Sequence, residues 1–471
     1  MDANKLHRST QFPPERIGLL YRLVRSVGRV ILAIFFKKID VRNSSAISPT
    51  GPVLFVANHP NSIMDAFVLG VAIPRKVNYI GHAGLFSNPW SDRFLKSVGV
   101  IPVVRQGESS DKLADNTSSF EACYKALEEG QTIGIFPEGT SDMLRQVKRV
   151  RTGAARILLE AESRNGYQLG IRLVPLGLHF FSRSRFRSRV MINIGDPVEL
   201  DSFFVLHQSD AAGAVQALTS RIQSEMEKLT VNINFVEYDE LVRDVETIFR
   251  DELMNDPNRQ RTATDDEIEK FVITQRIADC VNHFAVTDPD RVRRMQSRID
   301  MYKRKLAYLH LRDSMLHERA GFSRLILQSG LKLIVALLGL PIALYGIVHN
   351  FFPHAITLHV AKKFLHERTK ILTALLFAGG PSFLLFYSLQ TFLVQYFFGS
   401  TWAVLYLVSL PLTGLFASAY VRDLRQDQEL ISFSFVLLTN RHLVNRLRRE
   451  RKILIEEMNK VRTEYLVLKG L

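Results

Sequence analysis

Three long apolar runs dominate the C-terminal half of the chain. The first, at residues 331–348, reads LKLIVALLGLPIALYGIV, and those at 371–398 and 401–420 contain no charged residue. Runs of about 18 or more residues with almost no charge are long enough to cross a bilayer as helices. They predict a membrane region over residues 326–420, although buried core helices of a soluble protein would give the same pattern.

Between residues 41 and 230, short apolar runs alternate with helical patterns. The runs are rich in β-branched and aromatic residues, whereas SSFEACYKALEEG and GAARILLEAESRN have helical periodicity. Strands that alternate with helices predict an α/β domain, with a mixed sheet flanked by helices. The predicted strands are PVLFVAN, VNYIG, GVIPVV, TIGIFP, IRLVPLGLHF and VMINIG.

The remaining segments also have helical patterns. In residues 1–40, three arginines recur at helical spacing among apolar residues, which fits an amphipathic helix lying on an anionic membrane surface. A helix that packs on the next domain would fit equally well. Residues 231–325 are charged and indicate a soluble helical segment. Residues 421–471 predict a basic helical tail, suited to lipid headgroups, to a solvated helix face or to a short coiled coil.

Loop charge predicts how the membrane region is oriented. Basic residues precede 371 and follow 420, whereas the connection around Gly399 and Ser400 is short and uncharged. Because cytoplasmic loops carry an excess of Lys and Arg, residues 371–420 are predicted to be a hairpin with both ends cytoplasmic. The protein is then an integral membrane protein whose α/β domain faces the cytoplasm. Pro341 lies in the middle of the first segment, which either spans the membrane or, as we expect, forms a re-entrant or interfacial helical hairpin.

The charge balance limits the classes of partner that the protein is expected to bind. The chain of 471 residues has a formal net charge of +14, and residues 141–190 hold 11 Lys and Arg against 3 Asp and Glu. Such an excess suits phosphorylated substrates, anionic lipids or nucleic acid. Since membrane runs accompany it and no nucleic-acid recognition motif appears, we expect membrane lipids and a phosphorylated substrate, and no nucleic acid. Cys123 and Cys280 are far apart and lack metal-site spacing, which indicates a reducing compartment and no metal site.

The stretch VANHPNSIMDAF places a histidine and an aspartate after a predicted strand. Pro60 suits the first turn of a helix, so His59 is expected at the carboxyl end of the strand, where α/β sheets bind ligands. A neutral imidazole there can remove a proton from an alcohol, and Asp65 can orient it. Ordinary polar capping at a helix start would leave the same two residues.

Three further stretches repeat this arrangement. GIFPEGTSD places Glu138 and Gly139 after a strand, where a carboxylate can accept hydrogen bonds from substrate hydroxyls and a glycine lets backbone approach a ligand. GVIPVVRQG ends a strand at Arg105, and VPLGLHF contains Pro175, which is predicted to interrupt a strand. Arg151 lies in the basic stretch that follows GIFPEGTSD.

The order NHPNSIMD, GVIPVVR, FPEGTSD and VPLGL resembles the four sequence blocks of the glycerolipid acyltransferase family. The resemblance covers about residues 40–210, less than half of the chain. Five residues separate His59 from Asp65, whereas most of the family has four. This spacing, with FRSRVMINIGDPVEL after the fourth block, resembles the fungal-type branch that acylates glycerol 3-phosphate and dihydroxyacetone phosphate.

The resemblance implies a substrate-binding role for five residues. Arg105 matches the arginine that contacts the substrate phosphate, and Glu138 with Gly139 matches the pair that helps to bind the phosphorylated acceptor. Arg151 stands where that branch usually has lysine, so it keeps the charge but not the shape. Pro175 matches the fourth-block proline, which is associated with the acyl donor.

The resemblance also implies the reaction. His59 matches the general base and Asp65 its orienting partner, so a fatty acyl group would pass from an acyl thioester to the sn-1 hydroxyl of glycerol 3-phosphate or dihydroxyacetone phosphate, in phospholipid biosynthesis. The thioester of coenzyme A or acyl carrier protein is a co-substrate, and no cofactor is expected. One alternative is acylation of lysophosphatidate (1-acylglycerol 3-phosphate) at its sn-2 hydroxyl. Another is a non-catalytic lipid-binding or scaffold protein of the membrane.

Overall fold

The structure, a computed structural model, describes residues 17–103, 113–141, 144–182, 186–254, 265–309, 311–317, 322–363, 371–439 and 441–470. The chain forms two compact units. Of the described residues, the first unit contains those up to 232 with 371–373, and the second contains those from 233 to 363 and from 374 onward.

The first unit is built on a seven-stranded mixed sheet. Its strands are β1 (Lys38–Arg42), β2 (Val53–Ala57), β3 (Val77–His82), β4 (Val100–Val103), β5 (Thr132–Ile135), β6 (Arg172–Phe180) and β7 (Arg189–Ile194). They lie in the order β1-β7-β6-β2-β5-β3-β4. Every neighbouring pair is parallel except β6 and β7, which are antiparallel. The mixed α/β sheet and six predicted strands are confirmed, whereas β1 was not predicted.

Helices cover both faces of this sheet. They are α1 (Leu19–Phe35), α2 (Ile63–Ala72), α3 (Pro89–Ser97), α4 (Leu113–Glu128), α5 (Gly153–Arg164), α6 (Asp201–Ser209) and α7 (Ala211–Lys228). Because crossovers between parallel strands are right-handed, α2 and α3 lie on one face and α4 and α5 on the other. We call α2 and α3 the first layer, and α4 and α5 the second. Helix α1 belongs to the first layer, since a Cβ on its Gly28 would lie 2.9 Å from Val71 of α2.

The core of this unit lies mainly under the second layer. Apolar side chains of β2, β5 and β6 are fully buried there against α4, α5 and α7. The five-residue strand β2 is buried throughout, which explains its continuous apolar sequence VLFVA. This packing fixes the central strands, so the loops that leave their carboxyl ends start from a rigid edge.

The second unit is helical in the part that the structure describes. It contains α8 (Asp239–Met254), α9 (Asp266–Thr287), α10 (Pro289–Tyr308), α11 (Asp313–His317), α12 (Phe322–Lys362), α13 (Ile371–Phe398), α14 (Ser400–Thr439) and α15 (Arg441–Lys469). Within α12, α13 and α14, the stretches Gly330–Lys362, Thr373–Phe398 and Ser400–Leu424 are long and apolar enough to cross a membrane. These three stretches mark the protein as a membrane protein.

One expectation about the membrane region does not match the structure. Helix α12 runs through Pro341 and Pro353 without a break, so it is not a helical hairpin. Helices α13 and α14 meet near their short connection, where Tyr406 donates to Oε1 of Gln390 at 3.2 Å, and the predicted orientation of this pair in the membrane stays a prediction. Helix α12 packs antiparallel to α14, because close approach of Gly346 to Thr413 lets the two backbones meet.

The predicted basic tail belongs to the helical core of the second unit. Arg451 of α15 is buried, and its guanidinium donates to both carboxylate oxygens of Asp313 at 3.1 Å and to the Ile248 carbonyl at 2.9 Å. Tyr302 donates to the same carboxylate at 2.6 Å. Helices α8, α10, α11 and α15 are therefore joined by one buried ion pair and its hydrogen bonds.

Candidate active site

His59 and Asp65 form a hydrogen-bonded pair at the carboxyl end of β2. The ring atom Nδ1 of His59 lies 2.9 Å from Oδ2 of Asp65. The Asp65 side chain is fully buried, whereas the imidazole is 19% exposed. The expected location of His59 at the end of a strand is confirmed, and the two side chains meet although they are six positions apart.

A sharp bend in the backbone brings the pair together. Ser62 has φ 53° and ψ −134°, a region that residues with a side chain rarely adopt. The Asn61 N–H donates to Asp65 Oδ2 at 2.7 Å, which fixes the carboxylate from the loop side. Helix α2 begins only at Ile63, so the prediction that Pro60 occupies its first turn is wrong.

The imidazole of His59 rests on an aromatic stack. Its ring centroid lies 4.1 Å from that of Phe136, with an interplanar angle of 17°. Phe136 in turn stacks on Tyr79 at 6.1 Å. Phe136 follows β5, which neighbours β2, so the stack extends along the carboxyl edge of the sheet. One face of the imidazole is therefore covered.

Glu138 braces this edge. The carboxylate is 6% exposed; Oε1 accepts the His59 N–H at 3.1 Å and Oε2 accepts the Lys148 N–H at 3.2 Å. Burial raises the pKa of the Glu138 carboxyl, and the two backbone N–H groups oppose that rise. Since each oxygen already accepts a backbone hydrogen bond, the geometry assigns Glu138 to holding two loops together. Direct binding of substrate hydroxyls by Glu138 stays a prediction.

Gly139 and Arg151 are in contact beside this carboxylate. A Cβ added to Gly139 would lie 2.8 Å from Nε of Arg151, and the glycine has φ +69°. Both the backbone conformation and the guanidinium therefore require glycine here. The Arg151 N–H donates to the Pro137 carbonyl at 2.9 Å, which anchors this part of the chain to the loop after β5.

The Arg151 side chain is exposed and makes no hydrogen bond or ion pair with any other residue that the structure describes. Arg149, two positions earlier, is likewise exposed and without a partner in the described ranges. Such guanidinium groups can bind an anion without first breaking an ion pair. The site thus combines a base, its carboxylate and two available cations.

Comparison with known proteins agrees with this geometry. The sequence model of the acyltransferase family matches residues 38–179. Glycerol-3-phosphate O-acyltransferase 2 of Saccharomyces cerevisiae is 27% identical over 159 residues, 34% of this chain and 21% of the yeast protein. The 1-acyl-sn-glycerol-3-phosphate acyltransferase of Bacillus subtilis is 26% identical over 216 residues, 45% of this chain and 98% of that enzyme.

Residues 38–179 are an acyltransferase-family domain, similar in sequence to glycerolipid acyltransferases. The aligned part spans about a fifth of the length of the yeast relative. Among solved structures, the 1-acyl-sn-glycerophosphate acyltransferase of Thermotoga maritima superposes with a TM-score of 0.33 and 18% identity, over 44% of this chain and 79% of that chain. A TM-score this low supports no inference about the fold.

The acyltransferase domain does not gather all the predicted site residues. Arg105 lies outside the described residues. Pro175 is buried within β6, which continues through it, so the predicted interruption of the strand is wrong. Its ring lies over Gly195, whose added Cβ would be 2.8 Å from Cγ. A role for Pro175 toward the acyl donor stays a prediction.

The basic excess of residues 141–190 is also dispersed across the acyltransferase domain. Arg164 pairs with Glu121 and Glu160 at 2.8 Å on the surface of α5. Arg189 pairs with Asp40 of β1 at 2.8 Å. These arginines link elements of the fold, so the count of basic residues overstates the charge beside His59.

Sequence reasoning missed Asn58. Its Nδ2 donates to the Leu178 carbonyl at 3.1 Å, and its Oδ1 accepts the Leu178 N–H at 2.6 Å. The amide thereby continues the pairing of β2 with β6 beyond Ala57 and fixes the residue before His59. The sequence feature that could have identified Asn58 is an amide side chain at the end of a predicted strand, directly before the candidate base.

Proposed function

We propose that the protein transfers a fatty acyl group from an acyl thioester to the sn-1 hydroxyl of glycerol 3-phosphate, dihydroxyacetone phosphate or both, in phospholipid biosynthesis. The observation that carries the proposal is the His59–Asp65 pair, 2.9 Å apart at the open carboxyl edge of the acyltransferase sheet. Similarity to the yeast glycerol-3-phosphate O-acyltransferase supports glycerol 3-phosphate as the acceptor.

In the proposed mechanism, Asp65 sets the tautomer of His59. Its Oδ2 accepts Nδ1–H of the ring as well as the Asn61 N–H, which leaves Nε2 with a lone pair. Nε2 takes the proton of the acceptor hydroxyl while that oxygen bonds to the thioester carbonyl carbon. The carbon–sulfur bond then breaks, and the imidazolium returns the proton to the leaving thiolate. The Phe136 face next to the ring stabilises the transient cation.

Arg149 and Arg151 are proposed to hold the acceptor phosphate, together with Arg105. A phosphate fixed by guanidinium groups near Nε2 would place the hydroxyl beside the base, which lowers the entropic part of the barrier. His59 Nε2 is then the proton acceptor, and Glu138 keeps its loop in place. The mechanism requires no nucleophilic side chain.

The second candidate is transfer to the sn-2 hydroxyl of lysophosphatidate. The 1-acyl-sn-glycerol-3-phosphate acyltransferase of Bacillus subtilis aligns over 98% of its length. Both acceptors carry the same phosphate, so the basic residues beside His59 suit either. Three helices with membrane-spanning character support a bilayer setting in either case, and we propose that the acyltransferase domain faces the cytoplasm.

The test is an acyl-transfer assay with full-length protein in detergent. Labelled palmitoyl-coenzyme A, or palmitoyl-acyl carrier protein, is offered with each of the three acceptors separately. Product formed from glycerol 3-phosphate or dihydroxyacetone phosphate is expected, with a loss of about 10²–10⁴-fold in kcat for His59→Ala because the general base is removed. His207→Ala is the matched control, since that histidine lies on α6 and hydrogen-bonds Tyr167 instead.

Product formed only from lysophosphatidate would replace the main proposal with the second candidate. Absence of transfer from folded protein with every donor and acceptor would favour a non-catalytic lipid-binding protein. Equal activity of the His59→Ala and wild-type proteins would overturn the assignment of the base.

A further inference from the structure

Most of the exposed large apolar side chains of the acyltransferase domain lie on one of its helix layers, formed by α1, α2 and α3. Of the 13 large hydrophobic side chains that are exposed among the described residues up to 232, 10 lie on or next to α1, α2 and α3. They are Leu19, Leu20, Leu23, Val27, Val30, Ile34, Ile63, Leu85, Trp90 and Phe94. Contiguous exposed apolar surface marks a site of interaction with a partner or a membrane.

Helix α1 has two apolar faces. Tyr21, Gly28 and Leu32 are buried, and Gly28 packs against α2. The opposite face exposes Leu23 and Val30. Helix α1 can therefore pack on the domain through one face and lie on a membrane surface through the other, as its amphipathic sequence predicts. The sequence pattern did not assign a membrane contact to α3.

Helix α3 presents two exposed aromatic rings on one face. Trp90 is 85% exposed and Phe94 is 50% exposed, and the i, i+4 spacing places them on the same face of the helix. The start of α3 is fixed by a capping box, in which Asn88 Oδ1 accepts the Ser91 N–H at 2.8 Å. The rings are thus held outward by a well-capped helix, with nothing in the described chain covering them.

The chemistry of α3 fits a lipid surface. Tryptophan is enriched where membrane meets water, because its ring is apolar and its N–H is polar. Arg93 is exposed next to Phe94 and suits an anionic headgroup, whereas Lys96 pairs with Asp92 of the same helix at 2.8 Å. The apolar helices α12, α13 and α14 belong to the same chain, so a bilayer is the surface within reach.

We propose that α3 is a second membrane anchor, which inserts Trp90 and Phe94 into the interface of an anionic bilayer beside α1. Lys76 joins the two anchors: its ammonium lies 6.0 Å from the ring of Tyr21 in α1, and its side chain abuts Gly99, just after α3. The lipid therefore meets one layer of the domain and not the opposite one.

This docking would place lipid at the catalytic edge. The segment leading to α3 begins at His82, the carboxyl end of β3, and β3 is separated from β2 only by β5. Neighbouring strands are about 4.8 Å apart, so His59 is about 10 Å along the edge from that point. An acyl chain could thus reach the site from the bilayer. The inference concerns docking and holds for any acyl acceptor.

The experiment uses the two tryptophans of the chain, Trp90 and Trp402. Full-length Trp402→Phe protein is reconstituted into phosphatidylcholine–phosphatidylglycerol vesicles, with or without lipids brominated on their acyl chains. Brominated lipid is expected to quench about half of the Trp90 emission, because an interfacial indole contacts the upper acyl region. Acrylamide should quench it weakly.

The control moves the single tryptophan to the opposite layer. In Trp90→Phe, Trp402→Phe, Val205→Trp protein, the reporter lies on α6 at a position that is 70% exposed. It should be quenched by acrylamide and not by brominated lipid. If Trp90 behaves like this control, α3 faces water and the proposal is overturned. Protection of Trp90 from both quenchers would assign the face to a second copy of the chain and would also overturn it.

Discussion

At the scale of residues, two buried carboxylates hold the candidate base. Asp65 fixes the imidazole through Nδ1, and Glu138 fixes the backbone N–H of the same histidine. A buried carboxylate is stable only when its oxygens accept hydrogen bonds, and here those bonds come from the loop that must be positioned. The site is therefore organised by its acids before any substrate arrives.

Replacing Glu138 with Gln tests this bracing role. A glutamine offers one carbonyl oxygen, so either the His59 or the Lys148 N–H would face an amide NH₂ group and lose its acceptor. We expect Glu138→Gln to lower the free energy of unfolding by about 1–3 kcal/mol. We also expect kcat to fall while KM for the acceptor changes little. Denaturant unfolding and steady-state kinetics measure these quantities.

Glu162→Gln is the matched control for Glu138→Gln. Glu162 is also buried and accepts two backbone hydrogen bonds, from Ile171 at 2.6 Å and Leu169 at 3.1 Å, but lies on α5 away from His59. It should lose similar stability and retain kcat. A raised KM for glycerol 3-phosphate in Glu138→Gln, with kcat unchanged, would instead assign Glu138 to direct substrate binding.

The cysteines provide a second prediction at this scale. Burial raises the pKa of Cys123 and of Cys280 to about 12. At pH 8 the thiolate fraction is then about 10⁻⁴, too small for rapid alkylation. We expect N-ethylmaleimide to leave acyl transfer unchanged and to add mass only after unfolding, as intact-mass measurement would show. Rapid inactivation by one adduct on the folded protein would contradict this.

At the scale of elements, sequence pattern predicts apolar strands better than charged ones. Strand β2 is continuously apolar because both of its faces are covered, whereas β1, with the sequence KIDVR, lies at the edge of the sheet and carries three charged residues. The start of α2 was also predicted too early. Pro60 suits a helix N-terminus locally, but the bend at Ser62 that joins His59 to Asp65 takes precedence.

The contact of α12 with α14 leads to a prediction for the membrane region. A Cβ on Gly346 would lie 2.2 Å from the Thr413 carbonyl oxygen, so Gly346→Ala must push the two helices apart. We expect a loss of about 1–3 kcal/mol, seen as a lower melting temperature in detergent. Gly380→Ala, with nothing within 4 Å of the new methyl group, should be neutral or stabilising. Equal effects of the two substitutions would exclude close packing at Gly346.

At the scale of the whole molecule, charge serves two separate purposes. Many arginines of the acyltransferase domain are used in ion pairs within the fold, and Arg451 is buried in the helical unit. The basic residues on either side of α13 and α14 remain the signal for orientation in the membrane. Net charge alone therefore does not locate the substrate site.

Orientation can be measured with single cysteines in a Cys123→Ala, Cys280→Ala background. If both outer ends of α13 and α14 are cytoplasmic, Ser400→Cys should react with a membrane-impermeant maleimide in intact cells. Arg368→Cys should then react only after permeabilisation. Ser45→Cys, in the acyltransferase domain, should behave in the same way if α12 does not cross the membrane. Labelling of Arg368→Cys, and not of Ser400→Cys, in intact cells would contradict the predicted orientation, and different labelling of Ser45→Cys and Arg368→Cys would mean that α12 crosses the membrane.

The sequence by itself determined the α/β domain, the apolar helices and the positions of the candidate base and its aspartate. It could do so because strand and helix periodicity and strand-end polar residues are local properties. Only the tertiary structure decided that Glu138 holds the His59 loop in place, and that Arg164 and Arg189 form ion pairs within the domain. It also decided that α12 is one helix packed on α14. These outcomes depend on which distant groups meet, and a linear pattern does not contain that information.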